Sequence, residues 1–119
     1  MKRILLVDDM EGIRESLQVI LSGHYMLDVA QSAEEGLSLF TSKNYDLVIT
    51  DIIMPGMDGN ELVMKIKERK STPVLAISAG GNGASPDQAL ILARELADDV
   101  LEKPFSKSAL LSKIEAMLG

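Results

Sequence analysis

Five short apolar runs recur along the chain, separated by longer stretches in which apolar positions repeat with a helical period. Several of these runs are apolar at nearly every position instead of at every second one. That pattern is typical of parallel strands that are covered on both faces. We therefore predict five strands, at residues 3–8, 25–30, 46–51, 73–78 and 99–102.

The stretches between the runs carry the periodicity and the start signals of amphipathic helices. Ser32 and Asp58 are each followed three positions later by a glutamate, and Ser85 precedes a proline, so each is predicted to begin a helix. Apolar residues on one face mark the first and last helices, namely Ile13, Leu17, Ile20 and Leu21, and Leu110, Ile114, Met117 and Leu118.

A strict alternation of strands and helices in one small chain predicts a parallel sheet with right-handed crossovers. Five strands are too few for the usual eight-stranded barrel, so we expect an open, doubly wound α/β sheet with helices on both faces. The chain has 119 residues, enough for one compact domain and too few for two of ordinary size. We expect residues 1–119 to form that domain.

Composition removes several classes of function. There is no cysteine, which excludes disulfides, thiolate metal sites and thiol catalysis. The 12 basic and 18 acidic residues give a net charge of −6, so direct binding to a nucleic-acid backbone is not expected. No long apolar stretch occurs, so we expect neither a signal peptide nor membrane insertion, and we expect a cytoplasmic protein.

Chemically active side chains stand where the predicted strands end. Asp8 and Asp9 end the first strand, Asp51 the third and Ser78 the fourth, and Lys103 follows the fifth. Ligands of such sheets gather at the carboxyl ends of the strands. Three carboxylates about 5 Å apart would repel by roughly 3 kcal/mol per pair at an effective dielectric near 20, so they need a cation.

The oxygen ligands and the nearby lysine favour one kind of chemistry. A few carboxylates with room for water suit Mg²⁺, an ion that often bridges protein and phosphate. An aspartate such as Asp51 can act as the nucleophile on a phosphoryl group while metal and ammonium neutralise the transferred oxygens. The sequence thus predicts magnesium-assisted phosphoryl transfer to Asp51.

These residues resemble a response-regulator receiver domain of the chemotaxis-regulator type over nearly the whole chain. The similarity is carried by Asp8-Asp9, the run DIIMPGMDG at 51–59, a small hydroxyl residue at Ser78, and Lys103-Pro104-Phe105. The resemblance implies a flavodoxin-like fold with strand order 2-1-3-4-5.

The resemblance also implies a role for each site residue. Asp51 is then the phosphoacceptor, and Asp9 and Asp51 are direct magnesium ligands. Asp8 acts mainly through a bound water, and Ile53 offers its backbone carbonyl to the metal. Lys103 pairs with Asp51 before phosphorylation and with a phosphoryl oxygen afterwards, while Ser78 hydrogen-bonds another oxygen and draws the following loop inward.

The implied function is a signalling switch of a two-component or phosphorelay system. The donor is a histidine kinase or a histidine phosphotransfer protein, and output passes to a downstream protein by contact or by phosphotransfer. Beyond its own phosphorylation and dephosphorylation no enzymatic activity is expected. We expect a stand-alone receiver, with an excised domain of a larger regulator as the alternative.

Several positions depart from the common family pattern. Val100 stands where an aromatic residue is frequent, and Ser78 where threonine is. The loop at 79–85 is rich in glycine and longer than usual.

The fourth helix is unusually apolar at Leu90, Ile91, Leu92 and Leu96, a pattern we interpret as core packing with a partner surface as the alternative. His24 is predicted to be a surface loop residue, and Gly56 and Gly59 to serve the turn after Asp51.

Two other functions use similar residues. A phosphatase or phosphotransferase of the haloacid dehalogenase type carries its nucleophile and a second acid two residues on, at the end of the first strand. The first strand here ends Asp8-Asp9-Met10, so that spacing fails. The other alternative is a phosphate-independent pseudo-receiver, an interaction module, which the complete set of acids, serine and lysine disfavours.

Overall fold

The computed structural model describes residues 1–78 and 87–119, with Asp87 described by its backbone alone. Five strands and five helices alternate along the chain. They are β1 (Arg3–Val7), α1 (Glu11–Leu21), β2 (Met26–Ala30), α2 (Ala33–Ser42), β3 (Leu47–Asp51), α3 (Gly59–Arg69), β4 (Val74–Ser78), α4 (Asp87–Leu96), β5 (Asp99–Glu102) and α5 (Lys107–Leu118).

The five strands form one parallel sheet in the order β2-β1-β3-β4-β5, which confirms the predicted fold. Four of the predicted strands were one residue too long, because Asp8 lies just beyond β1 and Tyr25, Asp46 and Pro73 lie just before β2, β3 and β4. The order of strands reverses between β1 and β3, so the carboxyl ends of these two neighbours flank a crevice.

Alternate strand residues supply two separate cores, one on each face of the sheet. One face packs Leu5, Val7, Val48 and Ala76 against α2, α3 and α4. The opposite face packs the residues in between against α1 and α5, and its members include Ile4, Leu6, Ile49, Ile77, Leu17, Leu21, Leu110 and Ile114. The strands are therefore buried on both sides, which explains their nearly continuous apolar sequence.

Two of the predicted helix starts are formed as expected. The Ser32 hydroxyl accepts a hydrogen bond from the Glu35 N–H at 3.1 Å, and the Asp58 carboxylate accepts one from the Glu61 N–H at 2.9 Å. The predicted start at Ser85 and the glycine-rich loop at 79–85 lie outside the described residues. Among the described residues, no helix has the length and apolar character needed to cross a membrane.

The apolar residues of α4 divide between core and surface. Leu90 and Leu96 are partly buried against the core, whereas Ile91 is 59% exposed and Leu92 is 43% exposed. The interpretation of all four as core residues was thus right for two of them. His24 is exposed, as predicted.

Candidate functional site

Asp8, Asp9 and Asp51 meet at the crevice between the carboxyl ends of β1 and β3. One carboxylate oxygen of each residue lies within 4.8 Å of the others. The sheet brings them together because Val7 pairs with Thr50, so that each strand delivers the next residue to the same edge. Asp8 and Asp51 are 1% and 6% exposed, whereas Asp9 is open to solvent.

Asp8 is held by the start of α1. Its Oδ1 accepts a hydrogen bond from the Met10 N–H at 2.9 Å, and its backbone carbonyl accepts one from the Arg14 guanidinium at 2.8 Å. Its Oδ2 is buried without a hydrogen-bond partner among the described residues. Burial raises the pKa of Asp8, against the opposing effects of the Met10 N–H and the Lys103 ammonium.

Asp51 is a buried carboxylate with one oxygen anchored and one facing the charged groups. Oδ1 accepts a hydrogen bond from the Ile52 N–H at 2.8 Å, while Oδ2 lies 3.8 Å from the Lys103 ammonium. Burial, followed by the negative charge of Asp8, raises the pKa of Asp51 to about 6 although Lys103 opposes the shift. At neutral pH the side chain is therefore mostly ionised, although it is largely shielded from solvent.

Lys103 lies between the two buried carboxylates. Its ammonium is 3.9 Å from Asp8 Oδ2 and 3.8 Å from Asp51 Oδ2, distances too long for hydrogen bonds. The backbone N–H of Lys103 donates a hydrogen bond to the Ser78 carbonyl at 2.8 Å. This bond fixes the residue that follows β5 to the end of β4. The Lys103 ammonium and the nearby Arg14 guanidinium are two positive charges against three carboxylates, so the site retains negative charge.

Ser78 and Ile53 are the other predicted site residues. Ser78 ends β4, is 6% exposed, and follows Ile77, the partner of Asp51 in the sheet. Ile53 is two residues beyond Asp51 and its side chain is 52% exposed. The structure thus brings the acids and the lysine together with Ser78 beside them, while the use of the Ile53 carbonyl stays a prediction.

The residues fit a hard divalent cation. Three carboxylate oxygens within 4.8 Å approach the separation of oxygens on opposite sides of one octahedral magnesium ion, about 4 Å. Within the described part of the chain, the buried Asp8 Oδ2 accepts no hydrogen bond, and a cation would satisfy it. The cluster is therefore compatible with Mg²⁺ binding.

Contacts that support the site were not predicted. Arg14 reaches the Asp8 carbonyl from α1, and Glu34 of α2 accepts a hydrogen bond from the Met57 N–H at 3.1 Å, which braces the loop after Asp51. Gly56 in that loop has a φ of 75°, as the predicted turn requires. Gly59 is the first residue of α3 and lies against the backbone of Asp51 instead of serving the turn. No sequence pattern predicts this close contact between the two backbone segments.

The strand order and the place of the acidic cluster define a doubly wound α/β domain with its site where the strand order reverses. Within that class, the family model described as "Response regulator receiver domain" matches residues 4–115, and the chain belongs to this family. Receiver domains are signalling switches and not metabolic enzymes.

Individual proteins agree with this assignment. The chain is 35% identical over 117 residues to the transcriptional regulatory protein ResD of Bacillus subtilis, covering 98% of this chain and 48% of ResD. It is 36% identical over 118 residues to the regulatory protein VanRB of Enterococcus faecalis, covering 98% of this chain and 52% of VanRB. The chain thus spans about half the length of these curated relatives.

A solved structure shows the same fold at nearly equal length. The Vibrio cholerae chemotaxis protein CheY4 superposes with a TM-score of 0.87 and 28% identity, covering 98% of each chain.

Proposed function

We propose that Asp51 accepts a phosphoryl group from a phosphohistidine of a histidine kinase or a histidine phosphotransfer protein, and that this modification switches the domain. The observation that carries the proposal is the buried Asp51 carboxylate, 3.8 Å from the Lys103 ammonium and within 4.8 Å of two further carboxylates. A structural aspartate has no need of such a costly environment.

The proposed transfer is a displacement at phosphorus. The Asp51 oxygen facing Lys103 forms the new O–P bond, and the P–N bond to the donor imidazole breaks with its electron pair leaving on that nitrogen. In dephosphorylation, water attacks the phosphorus and the P–O bond to Asp51 breaks. This step restores the carboxylate and releases inorganic phosphate. The donor protein supplies the phosphoryl group, so no further reactant is required.

The surrounding residues each take a part in this proposal. Lys103 pairs with a phosphoryl oxygen, and the Ser78 hydroxyl donates to another. Asp9 and Asp51, with Asp8 through water and the Ile53 carbonyl, would hold Mg²⁺. The bound ion supplies positive charge for the oxygens of the transferred group.

The output of the switch is a population shift. A phosphoryl group adds negative charge and acceptor oxygens, which favour the conformation that brings Lys103 and Ser78 towards it. We infer that the changed surface contacts a downstream protein, or that the phosphoryl group passes onwards, in the cytoplasm. The domain itself, at residues 1–119, is not proposed to touch nucleic acid.

Intact mass after incubation with Mg²⁺ and acetyl phosphate tests the proposal. Wild type is expected to gain one phosphoryl group, about 80 Da, in a hydroxylamine-labile form that marks an acyl phosphate. Asp51→Asn is expected to show no gain. Asp46→Asn is the matched control, since it changes a carboxylate just before the start of β3, at the opposite end from Asp51, and it should be modified like wild type.

Other outcomes would point elsewhere. No gain in wild type with acetyl phosphate or with a purified histidine kinase would favour the pseudo-receiver. Steady hydrolysis of a phosphate ester would favour a hydrolase. A gain that persists in Asp51→Asn would place the acceptor at another residue.

A further inference from the structure

Asn60 is a buried polar residue that the phosphorylation chemistry does not use. It is the second residue of α3 and is 4% exposed. Its Nδ2 donates a hydrogen bond at 3.0 Å to the backbone carbonyl of Ala89 in α4. Its Oδ1 is buried without a hydrogen-bond partner among the residues that the structure describes.

The buried Asn60 amide is not the side chain that would best stabilise the folded state at this position. A buried oxygen without a donor costs free energy, and an apolar side chain of similar size would avoid that cost. Leu62 and Val63, on the same helix, show that α3 otherwise buries apolar side chains against this core. The amide at Asn60 is therefore better explained by the specific contact with α4.

Gly59, the residue before Asn60, lies against the backbone of Asp51, the proposed phosphoacceptor. The Gly59 N–H donates to the Ile52 carbonyl at 2.7 Å. A Cβ placed on Gly59 would lie 2.0 Å from the Asp51 carbonyl oxygen, so α3 begins in direct backbone contact with the end of β3. Because no side chain separates Gly59 from Asp51, we expect a movement of the Asp51 backbone to displace the first turn of α3, and with it Asn60.

We propose that Asn60 is a positioning residue that ties the first turn of α4 to the phosphoacceptor turn, so that modification of Asp51 changes the place of α4. The coupling runs from Asp51 through Gly59 to the Asn60 amide and the Ala89 carbonyl. Since α4 carries the exposed side chains of Ile91 and Leu92, its displacement alters an apolar part of the surface. This inference rests on the proposed function.

The test follows α4 by NMR while intact mass reports phosphorylation. In wild type, Mg²⁺ and acetyl phosphate are expected to shift the Asn60 side-chain amide and the backbone amides of residues 88–96. In Asn60→Leu, the α4 shifts are expected to fall to less than half of the wild-type values at equal phosphorylation. The thermal midpoint of the variant is expected to equal or exceed that of wild type, which a purely structural asparagine would not allow.

Two further variants keep the test decisive. Asn60→Ser shortens the side chain and is expected to reduce the α4 response if Asn60→Leu does not fold. Asn44→Ala changes an exposed asparagine whose amide oxygen accepts from Lys70, and it should respond like wild type.

The results separate this inference from the function on which it rests. Wild type that is phosphorylated with no shift of the Asn60 amide would overturn the inference alone, as would an undiminished α4 response in Asn60→Leu or Asn60→Ser. Wild type that gains no phosphoryl mass would defeat the proposed function, and the inference with it.

Discussion

Asp51 destabilises the folded state at neutral pH when no cation is bound. Its pKa is raised by burial from 3.8 to about 6 in the folded chain. Between these values the folded state holds a proton that the unfolded state has lost, so stability falls as pH rises from about 4 to about 6. The unfavourable ionisation is complete only above the folded pKa.

Asp51→Asn should therefore be more stable than wild type at pH 7 in EDTA. We expect a gain on the order of 2 kcal/mol, because the amide avoids the buried charge and keeps an oxygen for the Ile52 N–H. The gain should disappear near pH 4, where the wild-type carboxyl is largely protonated. Urea unfolding at both pH values measures it, and equal gains at pH 4 and pH 7 would contradict it.

At the level of elements, the placement of α3 depends on the absence of a side chain at Gly59. A Cβ there would lie 2.0 Å from the Asp51 carbonyl oxygen and 2.8 Å from the Ile52 Cα, and neither backbone atom can move aside cheaply. Gly59→Ala is expected to cost about 3 kcal/mol in free energy of unfolding, since the helix must shift away from the strand end.

Gly12→Ala is the matched control for Gly59→Ala. Gly12 also lies in the first turn of a helix, but a Cβ there would meet nothing within 4 Å. Alanine should stabilise α1 by about 0.5 to 1 kcal/mol because it loses less backbone entropy on folding. Urea denaturation of the two variants measures the contrast, and a loss for Gly12→Ala equal to that for Gly59→Ala would show that steric approach is not the cause.

The elements themselves could be predicted from the sequence because their signals are local. Nearly continuous apolar runs indicated buried parallel strands, and Ser32 and Asp58 marked helix starts with the hydrogen bonds that were found. Strand order came from the family resemblance, since periodicity does not specify neighbours. The hydrogen bond from Asn60 to Ala89 could not be predicted, because it joins two residues 29 positions apart on different helices through one side-chain amide.

The candidate site was predictable for a related reason. Parallel strands place their carboxyl ends at one edge, so residues that end strands must come close together there. That rule brought Asp8, Asp9 and Asp51 together without any knowledge of side-chain geometry. It did not predict Arg14, whose contact with the Asp8 carbonyl depends on how α1 packs against the sheet.

On the scale of the whole molecule, cation binding and folding must be linked. The three carboxylates come from the ends of β1 and β3, which are neighbours only once the sheet has formed. An ion that binds the folded state alone raises its stability by about 2.7 kcal/mol at a hundredfold excess over the dissociation constant. Mg²⁺ should therefore raise the thermal midpoint of wild type in a concentration-dependent way.

The variant Asp9→Asn distinguishes Mg²⁺ binding at the acidic cluster from general screening of the charges on a chain with net charge −6. The replacement removes one ligand from the cluster and relieves the repulsion between Asp9 and the carboxylates of Asp8 and Asp51, so metal-free stability should not fall. The variant is expected to lose most of the response to Mg²⁺, measured by thermal unfolding at constant ionic strength. If wild type and Asp9→Asn respond equally, the stabilising ions bind to other carboxylates, because only the acidic cluster distinguishes the two proteins.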